Sequence, residues 1–262
     1  MNMEVLMDST EVSAPTPADT VLNGFLGGTL TLAQPKKGYR AGMDAALLAA
    51  ACDAGPQQRV IEAGCGPGAA LLSAAARRPD SLFTGIERDP QALALCRDNI
   101  AANGLEGRVQ ALAGEVKHRL TALGLEPFDA ALANPPFFDD PSAIRGPAPE
   151  RQGAWIADGG LEVWTRFLLK AVREGGTITL IHRADRLADI LSLLGAGAGS
   201  FRIRPIQPFA DEPAKRVLVR AIKTGKAPLV LLPALVLHDR EGGKHTAEAD
   251  AILRGEAALG WV

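Results

Sequence analysis

RVIEAGCGPG, residues 59–68, decides how the chain folds. Arg59 to Ala63 is a short apolar run carrying one acid, and it reads as a buried strand. Gly64, Gly66 and Gly68 follow at once, and Gly68 to Arg78 then has the Ala/Leu content of a helix. Strand, glycine turn and helix in that order place free backbone N–H groups at the carboxyl end of a strand, where a ligand can come close. A second strand, Ser81 to Glu87, completes the unit. Glu87 closes it about 20 residues beyond the glycines, where an acid can accept hydrogen bonds from two ribose hydroxyls.

Outward from this unit the pattern repeats. Asp89-Pro90 starts a helix that Gly104 stops. Arg108 to Leu112 reads as a strand, Lys117 to Leu123 as a shorter helix and Phe128 to Ala133 as a fourth strand. Leu161 to Arg173 is a helix closed by Gly175-Gly176, followed by a strand at Thr177 to His182, a helix at Arg186 to Leu194 and a strand at Phe201 to Ile206. Arg216 to Ile222 alternates charged and apolar residues, as a half-buried antiparallel strand does. Upstream, Val21 to Phe25 and Thr29 to Ala33 flank Gly27-Gly28 as a hairpin, and Asp44 to Asp53 reads as a helix. The expected fold class is α/β: a Rossmann-like doubly wound sheet, mostly parallel with an antiparallel last strand, helices on both faces and a small N-terminal hairpin. Residues 1–19 mix Ser, Thr, Pro and acids without periodicity and are expected to be disordered. Residues 20–262 are expected to form one domain, with the hairpin and first helix in 20–56 and the core in 57–262.

Composition narrows the function classes. The chain is 47% hydrophobic and 22% charged, ordinary for a globular protein, and its net charge of −2 leaves only local room for nucleic-acid binding. Cys52, Cys65 and Cys96 lack metal-ligand spacing, so neither a zinc site nor a disulfide scaffold is expected, and a reducing cytoplasm fits. Glu4 and Asp8 spoil any signal-peptide order. The longest apolar run, Ala227 to Leu237, contains Pro228 and Pro233 and falls well short of the ~20 residues of a membrane span.

A second stretch carries chemistry. LANPPFF, residues 132–138, ends the fourth strand in two prolines that cannot donate to a ladder. Pro135 also biases Asn134 away from helical space. The resulting stiff turn presents the Asn134 amide, the Pro135 carbonyl and, past Pro136, the Phe137 ring, which suits the edge of a planar group bearing NH2. Read alone, it is equally a strand end with two core phenylalanines. The glycine loop is ambiguous too, because Gly64-x-Gly66-x-x-Ala69 also satisfies the dinucleotide fingerprint. Glu62, directly ahead of the glycines, would repel a pyrophosphate and suit a cationic, amino-acid-bearing ligand.

Glycine loop, ribose acid and Asn-Pro-Pro-Phe, in that order, resemble the class I S-adenosylmethionine-dependent methyltransferases that methylate amino groups. GYRAGMDA at residues 38–45, the 134–138 run and AKRVLV at residues 214–219 resemble, more narrowly, the bacterial tRNA adenine-N6 methyltransferases that act beside the anticodon of a valine tRNA. That resemblance spans roughly residues 20 to 255. It implies S-adenosyl-L-methionine as cofactor and RNA, first of all tRNA, as partner; no metal or membrane partner is expected, from the cysteine spacing and the short apolar run above. It also implies that Glu62, Gly64, Gly66 and Gly68 surround the methionine part of the cofactor, Glu87 its ribose and Glu115 its adenine, with Tyr39 and Arg40 covering the other side. Glu115 stands where the family more often has Asp. Asn134, Pro135, Pro136 and Phe137 would be the catalytic turn, with Asn134 also among the residues beside the cofactor.

Basic residues supply a possible RNA surface. Lys36, Lys37 and Arg40 precede the core, Arg145 and Arg151 follow the motif, and Arg202 to Lys226 holds seven basic residues against Asp211 and Glu212. The same stretch also reads as ordinary solvated strand faces. Other planar amines (guanine N2 in ribosomal RNA, DNA adenine, protein glutamine) and, further off, an NAD-linked oxidoreductase remain open on the sequence.

Overall fold

The computed structural model describes residues 20–36, 42–137 and 160–262. Expectations for residues 1–19, and for Lys37, Tyr39, Arg40, Phe138, Arg145 and Arg151, lie outside the described residues. Strands β1 (Thr20–Phe25) and β2 (Leu30–Pro35) form the antiparallel hairpin, turning through Leu26–Gly28 where Gly27 takes φ 65°. Helix α1 is Met43–Ala50. Then come β3 (Arg59–Ala63), α2 (Ala69–Arg77), β4 (Leu82–Glu87), α3 (Pro90–Ala102) and β5 (Val109–Ala113). Strand β6 is Phe128–Ala133, α4 is Gly160–Ala171, β7 is Val172–Arg183 and α5 is Leu187–Leu194. The chain closes with β8 (Ala198–Gln207), β9 (Arg216–Lys223), the two-residue strands β10 (Val230–Leu231) and β11 (Leu235–Val236), and α6 (Ala247–Arg254).

The large sheet runs β10-β8-β9-β7-β6-β3-β4-β5, with β11 also on β8. Strands β3 to β7 and β8 point the same way, while β9 is wedged antiparallel between β7 and β8. From β3 the chain winds outward to β4 and β5; from β6 it winds the opposite way to β7. That reversal opens a crevice at the carboxyl ends of β3 and β6, where doubly wound sheets bind their ligands.

Alternation within the strands explains the two layers. Val60, Phe83, Ala130, Leu132, Ile181 and Leu218 face one core with α1, α2, α3 and the end of the chain. Ile61, Ile86, Ala131, Ala133, Ile178, Leu180 and Val219 face the other, against α4 and α5. The last residues are fastened to α1: the Trp261 indole N–H donates to the Ala51 carbonyl at 2.9 Å, and the Leu259 N–H to that of Ala50 at 3.0 Å.

Two local expectations differ from what is observed, and three further elements had none. The helix expected near Lys117–Leu123 is a 3₁₀ turn at Leu120–Leu123, ended by Gly124 at φ 67°, too short a segment to repay α-helix nucleation. Gly175-Gly176 does not stop α4, which ends at Ala171; it makes a bulge in β7, with the register against β6 slipping between Val172 and Thr177. A Cβ on Gly176 would lie 2.8 Å from the Arg173 carbonyl oxygen and 2.9 Å from that of Asp129, so glycine is required there. Strands β10 and β11 and helix α6 fall in a stretch the sequence reading left without elements.

Candidate active site at the carboxyl edge of the sheet

Register brings the two motifs together. Ala63 pairs with Ile86 of β4 on one side and with Ala133 of β6 on the other, so the next residues along the three segments, Gly64, Glu87 and Asn134, share one edge. Ala133 also pairs with Leu180 of β7. After Ala133 the ladder stops, and residues 134–136 have no regular secondary structure, as two prolines dictate.

The glycine loop is held in left-handed backbone: φ is 66° at Gly64, 53° at Gly66 and 93° at Gly68. The three glycines serve different ends. A Cβ on Gly64 would collide with the Trp164 indole of α4, and one on Gly68 would lie 2.7 Å from Leu72 Cδ1 and 2.8 Å from Cys96 Sγ. A Cβ on Gly66 would meet nothing within 4 Å, so this residue alone faces open space. Cys65, between them, is buried with its sulfur 3.9 Å from that of Cys96 on α3.

Glu62 is 3% exposed and its Oε2 has no hydrogen-bond partner among the described residues. Burial pushes its carboxyl well above the usual range, helped by the neighbouring Cys96 and Glu87, while the backbone N–H of Leu71 near the start of α2 opposes the shift. Glu87 is different. Its Oε2 accepts the Gly66 N–H at 2.9 Å, and its Oε1 accepts the N–H groups of Arg88 and Asp89, both at 2.8 Å. The acid expected to take ribose hydroxyls is thus tied to the loop, with about one of its four acceptor positions left over. Glu115 lies two residues past Ala113, the β5 partner of Glu87. It pairs with Lys117 at 2.6 Å, and that hydrogen bond holds its carboxyl below the usual range.

Asn134 and Phe137 are half-buried and Pro135 is buried. The Phe137 ring meets the His182 ring edge-on at 5.1 Å and lies under the Arg216 guanidinium, 4.5 Å from its carbon to the ring centre. Arg216 Nε in turn donates to Asp44 Oδ2 on α1 at 3.1 Å. Asp44 and Arg216 lie in the GYRAGMDA and AKRVLV segments and His182 in neither, but no role at the turn was read for any of the three, and only the three-dimensional register of β7 and β9 assembles them around Phe137. Asn99 was also missed: its Nδ2 donates to the carbonyls of Pro67 (2.9 Å) and Ala33 (3.0 Å), and its Oδ1 accepts the Ala33 N–H at 2.7 Å. Its signal was present in the sequence as two asparagines, 99 and 103, one turn apart on a helix face.

The basic stretch is largely committed to internal contacts. Arg204 donates to the carbonyls of Pro233 and Gly260, Arg220 pairs with Asp53, and Lys223 donates to the Val172 carbonyl. Among the described residues no group of three or more His, Cys, Asp or Glu could hold a metal ion, and no helix is long and apolar enough to cross a membrane.

Residues 40–145 match the family described as the methyltransferase small domain. A protein of a Flavobacteriaceae bacterium named tRNA1(Val) (adenine(37)-N6)-methyltransferase is 32% identical over 109 residues, 42% of this chain and 46% of that protein. One of the same name from Porphyromonas gingivalis is 29% identical over 189 residues, 68% of this chain and 72% of that one. The chain spans about half the length of the first such relatives, 46% to 53%. A solved structure from Agrobacterium tumefaciens, titled a predicted O-methyltransferase, superposes with a TM-score of 0.70 at 28% identity, covering 82% of this chain and 98% of that protein.

Proposed function

We infer that this chain, whose residues 40–145 match the methyltransferase small domain, is an S-adenosylmethionine-dependent N-methyltransferase acting on the exocyclic amine of an RNA base, first of all adenine N6 in tRNA. The observation that carries the reading is the register that sets the Asn134 turn beside the glycine loop at the switch point of the sheet. The names of the relatives favour RNA and adenine. A parallel dinucleotide-binding sheet has no counterpart to the reversed β9, and Glu62 is ill-suited to a pyrophosphate.

The residues present fit the cofactor. The unpartnered Glu62 Oε2 is the acceptor an amino-acid ammonium needs, Gly66 leaves room for a ligand against the backbone, and Glu87 borders that room. Bound there, S-adenosylmethionine supplies a methyl on a sulfonium, a leaving group that needs no acid. The chain's task is then the acceptor, since the lone pair of an aromatic amine is delocalised into its ring. Asn134 Oδ1 and the Pro135 carbonyl, each accepting one N–H of that amine, draw it toward a pyramidal geometry with its lone pair free for attack. Fixed acceptors of this kind are worth about 3 kcal/mol each. An amide does this at lower desolvation cost than a carboxylate would. Stacking on Phe137, about 1–3 kcal/mol per base, offsets the cost of unstacking the nucleotide.

The test combines product and variant. RNA from cells lacking this gene, incubated with methyl-labelled cofactor and digested to nucleosides, is expected to yield N6-methyladenosine by mass spectrometry. Label found only in protein glutamine, or only on an oxygen, would sink the RNA amine assignment. In single turnover, Asn134→Ala should slow transfer at least a hundredfold while cofactor affinity stays within a few-fold. An unchanged rate would remove Asn134 from the mechanism.

A further inference from the structure

Phe137 is flanked on two sides by side chains from other strands, neither of them part of the Asn-Pro-Pro-Phe turn or the glycine loop. Arg216 lies 4.5 Å over one face of the ring and His182, fully buried at the end of β7, abuts its edge. Arg216 is not free to swing, because Asp44 at the start of α1 accepts from its Nε at 3.1 Å. The four groups come from four segments: α1, the turn after β6, β7 and the start of β9. Register makes the last two adjacent, since His182 pairs with Val217.

A guanidinium over a phenyl ring draws the ring's negative face toward itself and is attractive, the more so when partly desolvated. It also leaves the opposite face depleted of electron density, which favours stacking with an electron-rich, amino-bearing heterocycle. We propose that Arg216, anchored by Asp44, is a positioning residue that backs Phe137 and makes its other face a fixed stacking platform for the acceptor base. This deepens the preceding reading and rests on it: an aliphatic amide such as glutamine has no use for a backed aromatic face, whereas a flipped purine does. An ion pair four residues further along β9 supplies the internal control. Arg220 of β9 pairs with Asp53 at 2.6 Å, tying the same strand to the segment just past α1, with no aromatic ring over the Arg220 guanidinium among the described residues.

The experiment uses the full chain, methyl-labelled cofactor and total RNA from cells lacking this gene. Arg216→Met is expected to raise KM for RNA at least tenfold, with cofactor affinity by calorimetry within twofold of wild type. Arg216→Lys, which keeps the charge and loses the planar fork, should fall between, and Asp44→Asn should reproduce part of the Arg216→Met effect. Arg220→Met should lower the unfolding temperature without moving KM. An RNA KM within twofold of wild type in Arg216→Met overturns the proposal, as does a rise matched by Arg220→Met, which marks a structural role. If Arg216→Met does not fold, Arg216→Lys and Asp44→Asn decide it by the same KM criterion. Should wild-type protein methylate no nucleic acid at all, the parent reading fails and this one with it, a result separable from an active enzyme indifferent to Arg216.

Discussion

Glu62 answers to two opposing demands. Burial raises its carboxyl well above the usual range, so the folded state binds the proton more tightly than the unfolded chain does. A folded value above the unfolded one means that this residue's contribution is intact at acid pH and is lost as pH rises through the raised value. Glu62→Gln abolishes that loss. The variant is expected to melt higher than wild type at pH 8 and nearly level with it at pH 5, while binding S-adenosylmethionine at least tenfold more weakly. Thermal unfolding at both pH values, with calorimetry of cofactor binding, checks the pair; parallel melting differences at the two pH values would refute it. The glycines divide in the same way. Gly64→Ala meets Trp164 and should cost overpacking of about 1–3 kcal/mol on top of left-handed backbone strain of about 1–2 kcal/mol. Gly66→Ala carries only the strain, about 1–2 kcal/mol, but fills the space open to a ligand, so it should fold and lose cofactor affinity. Retained affinity in folded Gly66→Ala would move the cofactor away from the loop.

Among the elements, α3 holds the hairpin by an unusual device: two asparagine side chains act as a strand edge for β2. Asn99 serves both the N–H and the carbonyl of Ala33, and Asn103 those of Thr31, where its Oδ1 accepts at 3.1 Å and its Nδ2 donates at 2.9 Å. Because Asn99 also reaches the Pro67 carbonyl, it joins the hairpin to the glycine loop. Asn99→Ala strands three backbone groups, and about 1–3 kcal/mol for each left buried and unsatisfied sets the scale. Urea unfolding should show a loss of about 3 kcal/mol at unchanged m value, with Asn103→Ala costing less because its site is exposed. Equal losses would mean that burial does not set the cost. Most elements are legible in the sequence because each is specified locally: Asp89-Pro90 caps α3, Ala133 is followed by prolines, and β9 alternates. What escapes is set by partners far along the chain. Gly175-Gly176 has the composition of a helix stop and becomes a bulge only because β6 lies alongside. Tyr39 and Arg40 lie outside the described residues, so their expected place over the cofactor rests on sequence alone. The cage around Phe137 depends on β9 turning back between β7 and β8, which no local pattern encodes.

At the scale of the molecule, the direction of the strands decides which charges can meet an RNA. The stretch from Arg202 to Lys226 has a surplus of cations in the sequence, yet Arg204, Arg216, Arg220 and Lys223 are engaged within the protein. The other three are separated by the sheet. Lys215 is exposed immediately before β9, at the edge that carries Asn134, because β9 starts where β7 ends. Lys226 is exposed beyond the far end of β9, and eight residues of strand at about 3.3 Å each put it roughly 26 Å away. Arg202 pairs with Arg220, partway between the two edges. A continuous phosphate track along this segment would therefore have to run over the sheet's flank, while under the proposed function a base held at Asn134 would bring its own phosphates toward Lys215. Reversing charge at each position separates the alternatives. Lys215→Glu should weaken RNA binding several-fold at low salt and flatten the dependence of log affinity on log salt by about 0.7 for a single-stranded contact. Lys226→Glu should leave both within error, since the Debye length at physiological salt is only about 8 Å. A salt slope that falls equally in the two variants would place the RNA along the flank, and with it the acceptor base away from the Asn134 edge.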